Sequence, residues 1–162
     1  MRQAVSSVLL AVAFGLAACG QSGTIVSTPG GTVTTSADGS TTTVTGPNGE
    51  TAQFGAGAAS AAQLPDFLPL YPGAKVLSSI NAPQAGMQGG SVVFETNASP
   101  AEVVAFYKQR ATAQGLNEAL SSTDGSDMTY MAGKDQTMMQ VIASKGTVAT
   151  EIVLSWTAPR TN

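Results

Sequence analysis

The pattern of hydrophobic and polar positions divides the chain into three parts. Residues 4–18 are mostly apolar or small, and residues 20–60 are rich in Thr, Gly and Ser. From residue 64 to residue 157, short apolar-polar alternations are separated by turn signals. Only this last part places enough apolar residues at regular intervals to build a core. We therefore expect one folded domain preceded by two segments of different character.

The last part predicts five strands by its period of two, over residues 74–80, 91–96, 128–132, 136–143 and 147–156. In the fifth strand one face is formed by Val148, Thr150, Ile152, Leu154 and Trp156. The three prolines in residues 64–73 exclude a helix or a central strand, so this stretch is expected as an arm that packs across the sheet. The Gly-rich residues 81–90 are expected as a loop.

One helix is predicted between the second and third strands. Ser99 has the position of an N-cap, Pro100 that of the first helical residue, and Glu102 that of the partner in a capping box. The helix is expected to run to about Gln114. Gly115 then ends it in the left-handed conformation that glycine adopts without strain.

The order β-β-α-β-β-β predicts an α+β fold, a two-layer sandwich of one helix on an antiparallel sheet of about five strands, preceded by a Thr/Gly-rich segment. The domain organisation that follows is a signal peptide over residues 1–18, a Thr/Gly/Ser-rich segment over 19–63, a globular domain over 64–157 and a tail over 158–162.

The Thr/Gly/Ser-rich segment admits two structures. It contains little apolar surface, which is typical of a flexible tether. Its residues 24–57 also contain β-prone runs, and Asp-Gly at 38–39 and Asn-Gly at 48–49 are favourable hairpin turns. These features predict instead a short β meander that docks on the globular domain through Val33, Val44 and Phe54.

The N-terminus has the order of a secretory signal. Arg2 precedes an apolar run over residues 8–14 and then small residues. The stretch is shorter than the roughly 20 residues that a membrane-spanning helix needs. Its end, Leu16-Ala17-Ala18-Cys19, resembles the lipobox of bacterial lipoproteins.

That resemblance implies lipid attachment at Cys19, removal of residues 1–18 and acylation of the new amine by a fatty acid such as palmitate. Two or more acyl chains suffice for stable membrane attachment. By resemblance to the sorting rule of enteric bacteria, Gly20 in place of Asp implies the outer membrane, with the domain facing the periplasm. The expected location is therefore the bacterial cell envelope.

The globular part is similar to a group of small envelope lipoproteins without an assigned activity. The shared stretches are residues 70–76, 92–96 and 102–107, with Gly115. The resemblance implies a fold of this kind and no catalytic residue.

Composition and motifs exclude several kinds of chemistry. The net charge is −3 and no basic stripe is present, which argues against nucleic-acid binding. There is no His, and the single Cys is the predicted lipid site, so no nucleophile-base pair is recognisable. We therefore expect no catalytic residue, no cofactor and no enzyme. An enzyme would require clustered carboxylates, for example Asp66 with Glu95.

Two groups of residues could indicate a metal site, and each has a simpler interpretation. Asp124 and Asp127 lack the distal Glu of a calcium loop, which favours a polar turn. Five methionines could supply soft Cu(I) ligands, but neighbouring ones point to opposite faces of a strand, which favours core filling. These are Met87, Met128, Met131, Met138 and Met139. No metal site is expected.

The predicted lipid anchor and the absence of a recognisable catalytic motif together predict a membrane-anchored lipoprotein. Its non-enzymatic periplasmic domain is expected to bind another envelope component. An exposed sheet edge or residues 81–90 could make the contact. The alternative is a small-ligand-binding lipoprotein with a pocket between helix and sheet, which a tightly filled helix–sheet interface would contradict.

Replacing Cys19 by Ala tests the anchor. We expect the variant to lose lipid labelling and to leave the membrane fraction, because no other acylation site is recognisable. Ser22→Ala is the matched control and should remain labelled. A Cys19→Ala protein that stays labelled and membrane-bound would contradict the lipoprotein interpretation.

Overall fold

The computed structural model describes residues 23–28, 30–57, 64–83 and 86–160. The predicted signal peptide and Cys19 lie outside these residues. Within them the elements are, in chain order, β1 (Ile25–Thr28), β2 (Gly31–Thr35), β3 (Thr41–Thr45), β4 (Thr51–Ala56), β5 (Lys75–Asn81), β6 (Met87–Thr96), α1 (Pro100–Ala113), β7 (Asn117–Asp124), β8 (Asp127–Lys134), β9 (Thr137–Lys145) and β10 (Thr150–Pro159).

The strands form one antiparallel sheet of ten strands in the order β1-β2-β3-β4-β5-β6-β10-β9-β8-β7. The predicted two-layer sandwich with a sheet of about five strands is therefore wrong: the described part of the chain is mostly sheet, with a single helix. Two causes account for the difference. The Thr-rich segment contributes four strands to the same sheet, and a further strand, β7, follows the helix.

Strand β7 reads NEALSSTD, and all eight residues are exposed. As an edge strand it pairs only with β8, so neither face is selected for apolar residues and no alternation marks it.

Asp124 and Asp127 face each other where the two strands join, with Gly125 in the left-handed region at φ +61°. The polar turn predicted here thus connects two strands rather than a helix and a strand.

Strands β1–β4, which we call the wing, extend the sheet edge to edge. The connection is the pairing of β4 with β5, from Gln53 opposite Asn81 to Ala56 opposite Ser78. The wing does not dock through the three predicted apolar residues. These side chains lie on one face of the sheet, where Val44 is 36% and Phe54 43% exposed.

The turn between β2 and β3 stabilises the wing locally. The Asp38 carboxylate accepts hydrogen bonds from the Ser36 hydroxyl at 2.5 Å and from the Ser40 hydroxyl at 2.8 Å. These bonds lower the pKa of Asp38 to about 2, and the bond from Ser36 has the largest effect. Because the folded pKa is lowered, this contribution to stability is present above the unfolded value near 4 and is lost as the pH falls toward 2.

The helix forms as predicted. The Ser99 hydroxyl accepts a hydrogen bond from the Glu102 N–H at 3.3 Å, and the Glu102 carboxylate accepts one from the Ser99 N–H at 2.8 Å. The helix ends before Gly115, which has φ +69°. It packs on β8 and β9, and Lys108 forms an ion pair with Glu118 of β7 at 2.6 Å.

The core lies between the sheet and a cover made by the helix and the arm. We call the covered side of the sheet the inner face and the opposite side the outer face. The inner face contributes Val92, Phe94, Val141, Ile152 and Leu154, all fully buried. The helix adds Val103, Tyr107 and Ala111, and the arm adds Leu68.

The arm packs against the helix and the sheet, as predicted. Leu68 is completely buried, and the Tyr107 hydroxyl donates a hydrogen bond to the Pro69 carbonyl at 3.2 Å. The rings of Tyr71 and Phe106 meet edge to face at 5.1 Å. Burial raises the pKa of Tyr107, so its hydroxyl remains a protonated donor.

The strand boundaries differ from the prediction at two places. Strand β6 begins at Met87, so the loop predicted over 81–90 is partly strand, and β10 begins at Thr150, which leaves Val148 outside it and 93% exposed. Gly89 and Gly90 have no side chains, so no apolar-polar alternation marks them as part of a strand. They are in β6 because they pair with Thr157 and Trp156 of β10.

Candidate functional site

The space beneath the middle of the helix is filled, so the pocket expected between helix and sheet in the ligand-binding alternative is not found in this part of the described structure. Tyr107, Phe94 and Tyr130 are among the largest side chains there, and none is more than 1% exposed. Room remains at the C-terminal end of the helix, because β9 and β10 extend beyond it. The Leu116 N–H donates to the Ala111 carbonyl, which turns the chain away toward β7.

A large depression, here called the arm cleft, lies at this end. It comprises two adjoining spaces of about 610 and 470 Å³ that share Phe67, Gln114, Thr137 and Pro159. Six of its lining residues are apolar, namely Leu64, Pro65, Phe67, Leu116, Ala158 and Pro159. The arm, the helix end, β6, β8, β9 and β10 each contribute to it. The arm cleft therefore exists only where six separate parts of the chain meet.

A second depression of about 240 Å³, here called the wing cleft, lies where the wing joins the rest of the sheet. Polar side chains dominate it, and its walls include Thr51, Gln53, Asn81, Gln88, Trp156 and Arg160. Gln88 also lines the arm cleft, so the two clefts are neighbours.

Gly90 lies between Asn81 and Trp156, two residues that line the wing cleft. The strand registers place it opposite Asn81 on one side and opposite Trp156 on the other. A Cβ at Gly90 would lie 2.6 Å from Asn81 Oδ1 and 2.7 Å from Trp156 Cζ2. It would also lie 2.5 Å from the Ile80 carbonyl oxygen. Only glycine allows the amide and the indole to approach this closely.

The outer face has a different character. Large apolar side chains from six strands are 36–51% exposed on it, namely Val26, Val44, Phe54, Ile80, Leu120 and Met138. Some of its polar groups are paired with each other. The hydroxyls of Ser91 and Ser155 lie 3.1 Å apart, and Lys75 contacts Glu95 at 2.8 Å. Such pairing lowers the cost of removing this face from water.

The methionines do not all fill the core. Met139 is buried on the inner face, and Met128 packs at the edge of the core. Met131 and Met138 instead lie on the outer face, where Met138 is 46% exposed. The core-filling interpretation is therefore correct for Met139 and wrong for Met138.

The carboxylates named from the sequence lie in different surroundings. Asp66 lines the arm cleft, whereas Glu95 is paired with Lys75 on the outer face. Among the described residues no three His, Cys, Asp or Glu side chains are grouped closely enough to hold a metal ion. No helix in these parts of the chain is both long and apolar enough to cross a membrane.

Sequence reasoning missed most of the cleft residues. Gln88 fell in a predicted loop and Arg160 in a predicted tail, and Gln53 lay in the segment for which a tether was considered. The one local signal was the pair Gly89-Gly90, since glycine inside a strand often marks a close approach of neighbouring groups.

Comparison with known proteins supplies one match. The START domain-like family matches residues 76–152, just under half of the chain. The match hints at a ligand-binding domain and is consistent with a helix-grip-like sheet fold. No curated protein and no solved structure matches the chain.

Gly90→Ala tests the close approach of Asn81 and Trp156 beside the wing cleft. We expect a loss of about 1–3 kcal/mol in the free energy of unfolding, because the added methyl group overlaps backbone and side-chain atoms. The control is Gly89→Ala, whose nearest atoms would be 3.1 and 3.2 Å away. Urea unfolding followed by Trp156 fluorescence measures both. Equal stabilities of the two variants would contradict the described geometry.

Proposed function

We propose that this chain is a ligand-binding protein that holds a small amphipathic molecule in the arm cleft. The arm cleft itself carries the proposal: it is a large concavity on the inner face at the open end of the helix–sheet layer. Ligand sites in proteins are typically concave, mostly apolar and about 300–1,000 Å³ in volume. The family match over residues 76–152 supports the same class of function.

The lining of the arm cleft suits a molecule with one polar end. Phe67 and Leu116 offer apolar surface, and Gln114 and Thr137 offer hydrogen-bonding groups. The lining also includes three charged side chains, those of Asp66, Lys134 and Asp135. Apolar contacts would supply most of the affinity, and a few directed hydrogen bonds would set the orientation of the ligand.

A side chain that fills the arm cleft tests the proposal. The probe is the dye 8-anilinonaphthalene-1-sulfonate, which is apolar with one charged group. We expect saturable binding to the wild type and at least tenfold weaker binding to Thr137→Trp, because Thr137 lines both spaces of the cleft. The matched control is Gln140→Trp, on the same strand but on the outer face.

Calorimetry gives the affinity and the stoichiometry of the dye. One site per chain, lost only in Thr137→Trp, would support the arm cleft. Two results would contradict it: no saturable binding to the wild type, or binding that Gln140→Trp abolishes and Thr137→Trp leaves intact. The second result would place the dye on the outer face.

We further propose that lipid on Cys19 holds the domain on a bacterial membrane, with the outer membrane as the location. The support is the resemblance of residues 16–19 to a lipobox. An anchor of this kind raises the local concentration of the domain at the membrane surface. A ligand that partitions into the membrane would then reach the arm cleft over a short distance.

A second candidate function is binding of another envelope protein through the outer face. Its support is the band of exposed apolar side chains on a single sheet face, together with the pairing of polar groups within it. Large exposed apolar patches commonly mark interaction sites. A partner with an apolar, uncharged surface would fit this face.

In-cell crosslinking of the tagged full-length protein tests this candidate. We expect one dominant envelope partner whose yield falls several-fold in Phe54→Gln, because a buried amide without partners opposes docking. Val148→Gln is the control, since Val148 is exposed but lies outside the sheet. A yield unchanged by Phe54→Gln would exclude Phe54 and its surroundings as the contact.

A further inference from the structure

The wing cleft differs from the arm cleft in its charged side chains: Asp66 and Asp135 line the arm cleft, whereas the wing cleft has Arg160 and no carboxylate. Three carboxamides line it, from Gln53, Asn81 and Gln88, together with the hydroxyl of Thr51. A carboxamide both donates and accepts hydrogen bonds, as a hydroxyl does. No acidic side chain lines the wing cleft. This composition suits a ligand that carries several hydroxyl groups.

Arg160 adds a positive charge to the same cleft. The ion pairs among the described residues are those of Lys75 with Glu95 and of Lys108 with Glu118, so the Arg160 guanidinium has no carboxylate partner there. The backbone positions it, because the Arg160 N–H donates to the Gly86 carbonyl at 3.0 Å. A guanidinium binds a carboxylate through two parallel hydrogen bonds.

The sheet aligns these groups in one row. Gln53 lies opposite Asn81, Asn81 opposite Gly90, and Gly90 opposite Trp156, all on the inner face. Neighbouring strands are about 4.8 Å apart, so the carboxamides of Gln53 and Asn81 can reach two separate hydroxyl groups of one small ligand. The indole edge of Trp156 closes the row at one end.

We propose that the wing cleft binds a small hydroxylated carboxylate, such as a sugar acid. The carboxamides and Thr51 contact the hydroxyl groups, and Arg160 contacts the carboxylate. The volume of about 240 Å³ corresponds to a single sugar ring rather than to an oligosaccharide. Neither Thr51 nor Gln53 belongs to residues 76–152, so this site depends on the wing and goes beyond the ligand-binding function proposed for the arm cleft.

The single tryptophan of the chain reports on binding. The full chain is titrated with D-glucuronate, and Trp156 fluorescence is followed with calorimetry in parallel. We expect saturable binding with a Kd in the millimolar range, and binding of D-glucose and of acetate at least tenfold weaker. Glucose lacks the carboxylate and acetate lacks the hydroxyls, so each uses only part of the site.

Variants on both sides of the wing cleft test which side chain contacts the carboxylate of the ligand and which contacts its hydroxyl groups. Arg160→Gln should weaken glucuronate binding at least tenfold, to the level of glucose. Gln53→Ala should weaken glucuronate and glucose by a similar factor. The controls are Lys145→Gln, which removes an exposed positive charge elsewhere, and Gln109→Ala, which removes an exposed amide on the helix. Neither control should change the affinity.

Three outcomes would overturn the proposal. They are no saturable binding by either readout, equal affinity for glucuronate and glucose, and an affinity that both Arg160→Gln and Gln53→Ala leave unchanged. Displacement of the anilinonaphthalene dye by glucuronate would show one shared site and would also overturn it. The dye reports binding in the arm cleft and glucuronate reports binding in the wing cleft. A negative result with one probe therefore does not contradict the proposal that the other probe tests.

Discussion

The pairing of β6 with β10 is the contact on which the rest of the structure depends. Strands β1–β6 and strands β7–β10 each form by hairpins between consecutive strands, and β6 with β10 is the one pairing in the described sheet that joins distant parts of the chain. Its ten pairs run from Thr150 opposite Thr96 to Pro159 opposite Met87. Such a non-local ladder requires closure of a long loop, and the helix within that loop shortens the distance to be closed.

This ladder also creates both clefts. It brings Gly90 against Trp156 and Gln88 beside the end of β10, two stretches that are far apart in the sequence. The helix covers β8 and β9 but is shorter than the strands beneath it, and the arm covers the neighbouring strands only in part. The uncovered ends of β9 and β10 become the arm cleft, whereas the junction with the wing becomes the wing cleft.

The two faces of the sheet differ in how their side chains are covered. On the inner face the core is tightly filled, and the clefts at its margins have a mixed or polar lining. The outer face lacks a cover among the described elements and carries apolar side chains from one end of the sheet to the other. Ligand binding on the inner face and protein contact on the outer face therefore use separate surfaces and do not exclude each other.

The sequence by itself determined what depends on residues close together in the chain. Ser99, Pro100 and Glu102 identify the helix start because a capping box spans only four residues, and alternation identifies strands with one buried face. The resemblance of residues 16–19 to a lipobox is equally local, and lipid attachment at Cys19 stays a prediction. Tertiary structure decided the rest. Strand β7 is an exposed edge without alternation, and the wing becomes part of the sheet only by pairing with β5. Gln88 and Arg160 belong to a site only because β6 pairs with β10, and no local pattern encodes a contact between segments so far apart.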